Sequence, residues 1–147
     1  MATSTITGVM ALLKAKMEAL QIGGLDVFGA VSDFANGDFE GYPACMITEV
    51  GGKGETLDTH RNQRTHEFMI RLYQEQSRAG KTKEEAATKM RAIADAVLVA
   101  LDTDKTLSGE VDIVRVVEFE TSFKVTAGTF NFASFRVEVA VLVLNHN

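Results

Sequence analysis

Residues 43–76 constrain the fold more than any other part of the chain, because two strand-like segments there flank a stretch with almost nothing apolar in it. Ala44–Val50 and His66–Gln76 both read as strands. In the second, Phe68, Ile70 and Leu72 alternate with Glu67, Met69, Arg71 and Tyr73, the period of two that one buried face imposes. Between the strands runs Gly51–Thr65, which holds Gly51, Gly52 and Gly54, the charged Lys53, Glu55, Asp58, Arg61 and Arg64, and one large apolar side chain, Leu57. Hairpins normally close in about two to five residues, and structureless connections beyond about 12–15 residues are uncommon unless functional or disordered. The expectation is a long polar loop, an arm that orders against another subunit rather than its own core.

The remaining elements follow from periodicity. Ile6, Val9, Met10, Leu13, Met17 and Leu20 form one helical stripe, with Thr3, Ser4 or Thr5 to cap its start and Gly23-Gly24 to end it. Leu25–Val31 reads as a short strand, and Ser32–Gly41 as a loop carrying Asn36-Gly37-Asp38. Tyr42-Pro43 opens the next strand, where a residue without an N–H belongs. Ser77–Lys81 reads as a turn, and Thr82 with Glu85 makes a capping box. A helical face of Ala86, Ala87, Met90, Ile93, Ala94, Val97, Leu98 and Leu101 then runs to about Asp102. Asp112–Phe123 and Asn131–Leu144 close the chain as strands, with extended-looking segments at Thr126–Thr129 and Asn145-His146-Asn147. In the last strand Phe135, Val137, Val139, Val141 and Val143 face one way, and Arg136, Glu138, Ala140, Leu142 and Leu144 the other. The order α-β-β-β-α-β-β predicts a single α+β domain over residues 1–147, a mainly antiparallel sheet of about five strands with two helices on one face.

Charge and cysteine content narrow the function classes. A net charge of −5, from 15 basic and 20 acidic residues without a basic block, argues against a general phosphate-gripping surface. The one cysteine, Cys45, cannot make an internal disulfide or a multi-cysteine zinc site. Its neighbours Met46 and Ile47 predict a buried, inert thiol. No segment has the length of apolar sequence that a membrane helix needs, and the N-terminus does not read as a secretory signal.

Candidate chemistry is weak throughout. Gly80-Lys81-Thr82 ends like a phosphate-binding loop, but the glycine that pattern requires at position 75 is Glu75. A capped turn explains it. His60, His66 and Glu49 match no metal-site spacing, and His146 lies in the tail. Asp33, Asp38 and Glu40 around Asn36-Gly37 lack the spacing of a calcium loop. Glu118 and Glu120 share a strand face beside Val114 and Val116, which reads as the solvent side rather than an acid–base pair. The expectation is no catalytic residue, no cofactor and no metal.

The element order, Tyr42-Pro43-Ala44 opening a strand, the long polar arm, the alternating strand ending near Tyr73, the capped helix and two closing strands together resemble the tail terminator proteins of long-tailed phages. That family includes the minor tail protein U type and related tail-completion and head–tail joining proteins. The resemblance covers nearly the whole chain and rests on architecture. It implies a ring, commonly a hexamer, that caps the tail tube at the head-proximal end of the virion. It also implies the tail tube protein and head connector as partners, with DNA passing through the lumen without specific binding. Carried onto this sequence, it places a subunit or tube interface on the arm, at Lys53, Glu55, Leu57, Asp58, Arg61 and Arg64. The readings left beside it are another phage neck or tail tube protein of similar fold, and a small-molecule-binding α+β domain.

Overall fold

The computed structural model describes residues 5–33, 41–75, 83–126 and 129–144. Helix α1 spans Ile6–Glu18, and the Thr5 side chain caps it by accepting the Gly8 N–H at 3.0 Å. Val9, Met10, Leu13 and Met17 are buried and Leu20 half-buried, as the stripe predicts, while Ile6 stands 47% exposed. The glycine pair does not end this helix. It stops at Glu18 with Ala19 as its right-handed cap, and Gly23 and Gly24 instead turn a small hairpin of β1 (Gln21–Ile22) and β2 (Leu25–Asp26). Their φ values of +61° and +80° are what a two-residue hairpin turn needs at both central positions.

The expected strand Leu25–Val31 is therefore split, and β3 occupies only Ala30–Ser32. Between the pieces the Val27 N–H returns to the Leu20 carbonyl at 3.1 Å and Val27 turns inward. Gly29 then passes so close to the chain at Tyr42 that an added Cβ would lie 2.9 Å from its backbone nitrogen. Only a residue without a side chain fits there.

The main sheet contains β3, β4 (Ala44–Thr56), β5 (Arg61–Glu75), β6 (Ile113–Thr126) and β7 (Thr129–Leu144), in the order β3-β4-β5-β7-β6. β3 lies parallel to β4 and the other three pairings are antiparallel, so this is an α+β fold with a mixed sheet. Helix α2 spans Lys83–Thr103, between β5 and β6. The capping box at Thr82, the turn at Ser77–Lys81, the loop around Asn36-Gly37-Asp38 and the tail Asn145-His146-Asn147 fall outside the described residues. The last two strands run further than the sequence suggests, as far as Thr126 paired with Thr129.

Both helices cover one face of the sheet. Val9, Leu13 and Met17 of α1, and Met90, Ile93, Val97 and Leu101 of α2, share one cluster with Cys45, Ile47, Phe68, Ile70, Leu72, Phe135, Val137 and Val139. Each large side chain removed from water in such a cluster contributes about 1.5–3 kcal/mol. Alternation puts charge on the other face, where Arg136 Nη2 reaches Glu67 Oε2 at 2.7 Å and Arg115 lies 3.8 Å from Glu138. Away from the sheet, Lys16 Nζ on α1 meets Asp104 Oδ2 at 2.9 Å, just past the end of α2. The Asp104 carboxyl also accepts the Ser108 N–H, and these two contacts, the N–H first, hold it below the usual carboxylate range.

Candidate functional site at the hairpin tip

The fifteen residues read as a loop are not a loop. β4 and β5 continue straight through them, pairing Gly52 with His66, Lys53 with Thr65, Gly54 with Arg64, Glu55 with Gln63 and Thr56 with Asn62. Only Leu57–His60 remain to turn the chain, within the ordinary span of a hairpin connection. The far half of β5 is also paired on its other side, from Arg61 opposite Leu144 to Glu67 opposite Glu138 of β7. Backbone hydrogen bonding thus orders the segment within its own chain. What the sequence reports correctly is the lack of burial over Gly51–Arg61 and at Arg64, all exposed, whereas Asn62, Gln63 and Thr65 are half-buried.

The turn is fixed by one carboxylate. Asp58 Oδ1 accepts the backbone N–H groups of His60 and Arg61 at 2.8 Å each, and Arg61 Nε donates to Oδ2 at 2.7 Å. The Leu57 and Asp58 N–H groups donate in turn to the Arg61 carbonyl at 3.0 and 3.2 Å. An aspartate bonding its own backbone two and three residues on is a standard device for closing a turn. The His60 N–H, followed by the Arg61 guanidinium, lowers the Asp58 carboxyl below its ordinary value.

Strand alternation sorts the remaining interface candidates. Lys53 and Glu55 share the face of Thr65 and Gln63, away from the helices. Arg64 lies on the helix-side face with Gly52, Gly54 and His66, and Leu57 caps the end, 46% exposed. The six expected residues therefore occupy both faces and the tip of one projection rather than converging on a point.

Sequence reasoning missed the hollow at the root of this projection. Gly52 and Gly54 point toward the helix side and carry no side chain, which leaves a depression of about 330 Å³ bordered by Ile6, Lys53, Arg64 and His66. A second hollow of about 220 Å³ adjoins it at Ile6, Glu49, Val50 and Phe68. Two glycines spaced by two in a strand carry a signal for such a gap, because both bare the same face. Val50 sits in a bulge between Glu49 and Gly51 and is exposed.

The other singled-out groups stay apart. Cys45 is fully buried beneath α1, and burial pushes its thiol well above its ordinary pKa. Glu118 and Glu120 stand exposed on β6, and Glu118 lies opposite Arg136. Among the described residues no three His, Cys, Asp or Glu side chains gather as a metal site, and no helix is long and apolar enough to cross a membrane. A scan against protein-family models matches none, and a sequence search of curated proteins returns no match.

Proposed function

We propose that this chain is a ring-forming structural protein of the phage tail terminator class, which caps the tail tube and offers a surface for head joining. One observation carries the reading. The hairpin of β4 and β5 continues past the core as a paired and largely exposed ladder whose turn is closed by Asp58 and Arg61. Strand backbone held rigid but left without a core is suited to contact, and a preformed arm docks at a lower ordering cost than a loose one. A ring of one chain requires two unlike patches that meet, and a projection from one edge of a compact body supplies the first of them.

In this reading Lys53, Glu55, Leu57, Asp58, Arg61 and Arg64 contact a neighbouring subunit or the tail tube, and the protein performs no chemistry. The test is light scattering with negative-stain electron microscopy of the concentrated protein, and the same microscopy of purified phage tails. Rings of about six copies, at the head-proximal end of tails, are expected. Deleting Lys53–Arg61 leaves Asn62–Thr65 as a short turn between Gly52 and His66, and should give a folded protein that makes no rings. A protein that is strictly dimeric and missing from tails sinks the reading.

A further inference from the structure

Two lengths of sheet edge are open among the described residues, on opposite sides of the main sheet. β3 occupies the outer edge of β4 only at Ala44–Met46, which leaves Ile47–Thr56 unpaired on that side. β6 is the far edge strand. The Val114 N–H there is taken by the Lys105 carbonyl at 2.7 Å, so its open stretch starts at Arg115. Unpaired edges are templates for another strand. Each antiparallel step from β4 to β5, β7 and β6 reverses direction, so β4 and β6 run oppositely. A second copy set alongside in the same orientation therefore presents its β6 antiparallel to β4.

We propose that the β4 edge of one copy takes the β6 edge of the next, with Glu55 opposite Arg115, Lys53 opposite Glu118, and Phe119 seated over Gly52. The register follows from elimination. Slips by an odd number would swap the faces, so β6 can move only in steps of two. Ile47, Ile70, Phe135 and Phe119 lie on one level across the sheet. A junction without offset puts Phe119 opposite Ile47 and drives β6 into β3 at the next residue.

Moving β6 one step toward the tip sets Lys53 against Arg115, and moving it three steps sets Glu55 against Glu118. Like charges directly opposite are unfavourable. The two-step register alone gives two opposite-charge pairs. It keeps β6 clear of β3, and pairing ends at Glu55 with Arg115, because Thr56 falls opposite Val114, whose N–H Lys105 already takes. It also brings Phe119, 56% exposed, to the hollow over Gly52 and Gly54. A depression floored by two glycines then meets a half-exposed aromatic ring, which lies against Phe135 of its own subunit with centroids 6.5 Å apart. The two edges differ, so the contact is head-to-tail and repeats from copy to copy.

This junction deepens the ring reading by naming the surfaces that close the ring, and its test is separable from that reading. Lys53→Cys protein mixed with Glu118→Cys protein under mild oxidation by glutathione disulfide should give a disulfide-linked dimer. Neither variant alone should do so through these positions, since opposed strand residues fall within disulfide reach. Lys53→Glu and Glu118→Lys should each remain folded by circular dichroism and lose self-association in light scattering, and the two changes in one chain should restore it. No cross-link on mixing, or a double reversal no better than either single change, overturns the proposal. A junction that forms while purified tails lack the protein leaves the edge pairing standing and removes the tail reading. Rings on tails without the cross-link remove the junction alone.

Discussion

Ile47 and Glu55 lie on one strand that pairs with the same neighbour, yet one is fully buried beneath the helices and the other is exposed. The base of the β4–β5 hairpin is core, and its far half is a ladder that contributes no buried side chain of its own between Gly51 and Thr65. The difference shows what holds each half in place. At the base, Phe68, Ile70 and Leu72 pack under α1 and α2. Toward the tip the backbone of β5 is held on both sides, by β4 and by β7, and the turn is closed by Asp58. Side-chain burial stabilises the first and backbone pairing the second, so substitutions should separate them.

The largest contrast is between core and tip truncation. Phe68→Ala should cost about 3–5 kcal/mol in denaturant unfolding, because it opens a cavity in a closely packed layer. Glu55→Ala should stay within about 0.5 kcal/mol, as an exposed change with no packing partner. Comparable losses at the two positions would mean that the tip packs against something within the monomer.

A finer contrast lies inside the tip. An added Cβ at Gly52 would stand 2.6 Å from the Thr65 carbonyl oxygen, whereas at Gly54 it meets nothing within 4 Å. Gly52→Ala should therefore destabilise by about 1–3 kcal/mol, the range for forced overpacking. Gly54→Ala should be neutral or slightly stabilising, since alanine restricts the unfolded chain more than glycine. Equal thermal midpoints for the two variants would show that the ladder yields easily at its bulge.

Hydrogen exchange should grade the ladder itself. Amides of β5 from Arg61 to Glu67 lie between two strands, and β4 from Gly51 to Thr56 is paired on one side only among the described residues, so the β5 segment should exchange more slowly. Uniformly fast exchange through both would return the segment to the loop that its composition suggests.

The smallest effect is acid fraying of the turn. The Asp58 carboxyl is lowered when folded, so its contribution is present above the unfolded aspartate value and fades as pH falls through the folded one. Carboxyl resonances of Asp58 should titrate below those of an unstructured aspartate. The Leu57–Arg61 amide shifts should move with the same midpoint, and Asp58→Asn should abolish that movement. Core amides should not follow it.

Much of the fold was legible because burial leaves a pattern. The stripe of α1, that of α2 from Met90 to Leu101, and the alternation in β5 and β7 located the core face, except at Ile6, which borders the hollow over Gly52 and stays exposed. The tip was misread because polar, glycine-containing sequence reports the lack of burial, while strand pairing here depends on neighbours far along the chain. Nothing local to Arg61–Glu67 announces that Glu138–Leu144 will lie beside it. The glycine pair after α1 was misassigned for a similar reason. Positive φ suits a helix end and a hairpin turn equally, and the choice was made by Val27 returning to Leu20. Of the interface candidates, the sequence located the exposed stretch, while the sorting of Lys53 and Glu55 from Arg64 needed the pairing register.

The place of β7 has a consequence for how the molecule is made. It follows every other described strand in the chain, yet it is inserted between β5 and β6. A nascent polypeptide emerging from the ribosome holds β5 and β6 before their shared neighbour exists, with Phe68 and Ile70 already synthesised and half of their sheet missing. Non-local pairing of this kind is slow and leaves sticky edges waiting. Stalled chains that stop short of Thr129 should pellet or recruit chaperones, while those extending through Leu144 should not. Timing of synthesis, as much as affinity, then decides whether an edge meets its own last strand or a stranger's.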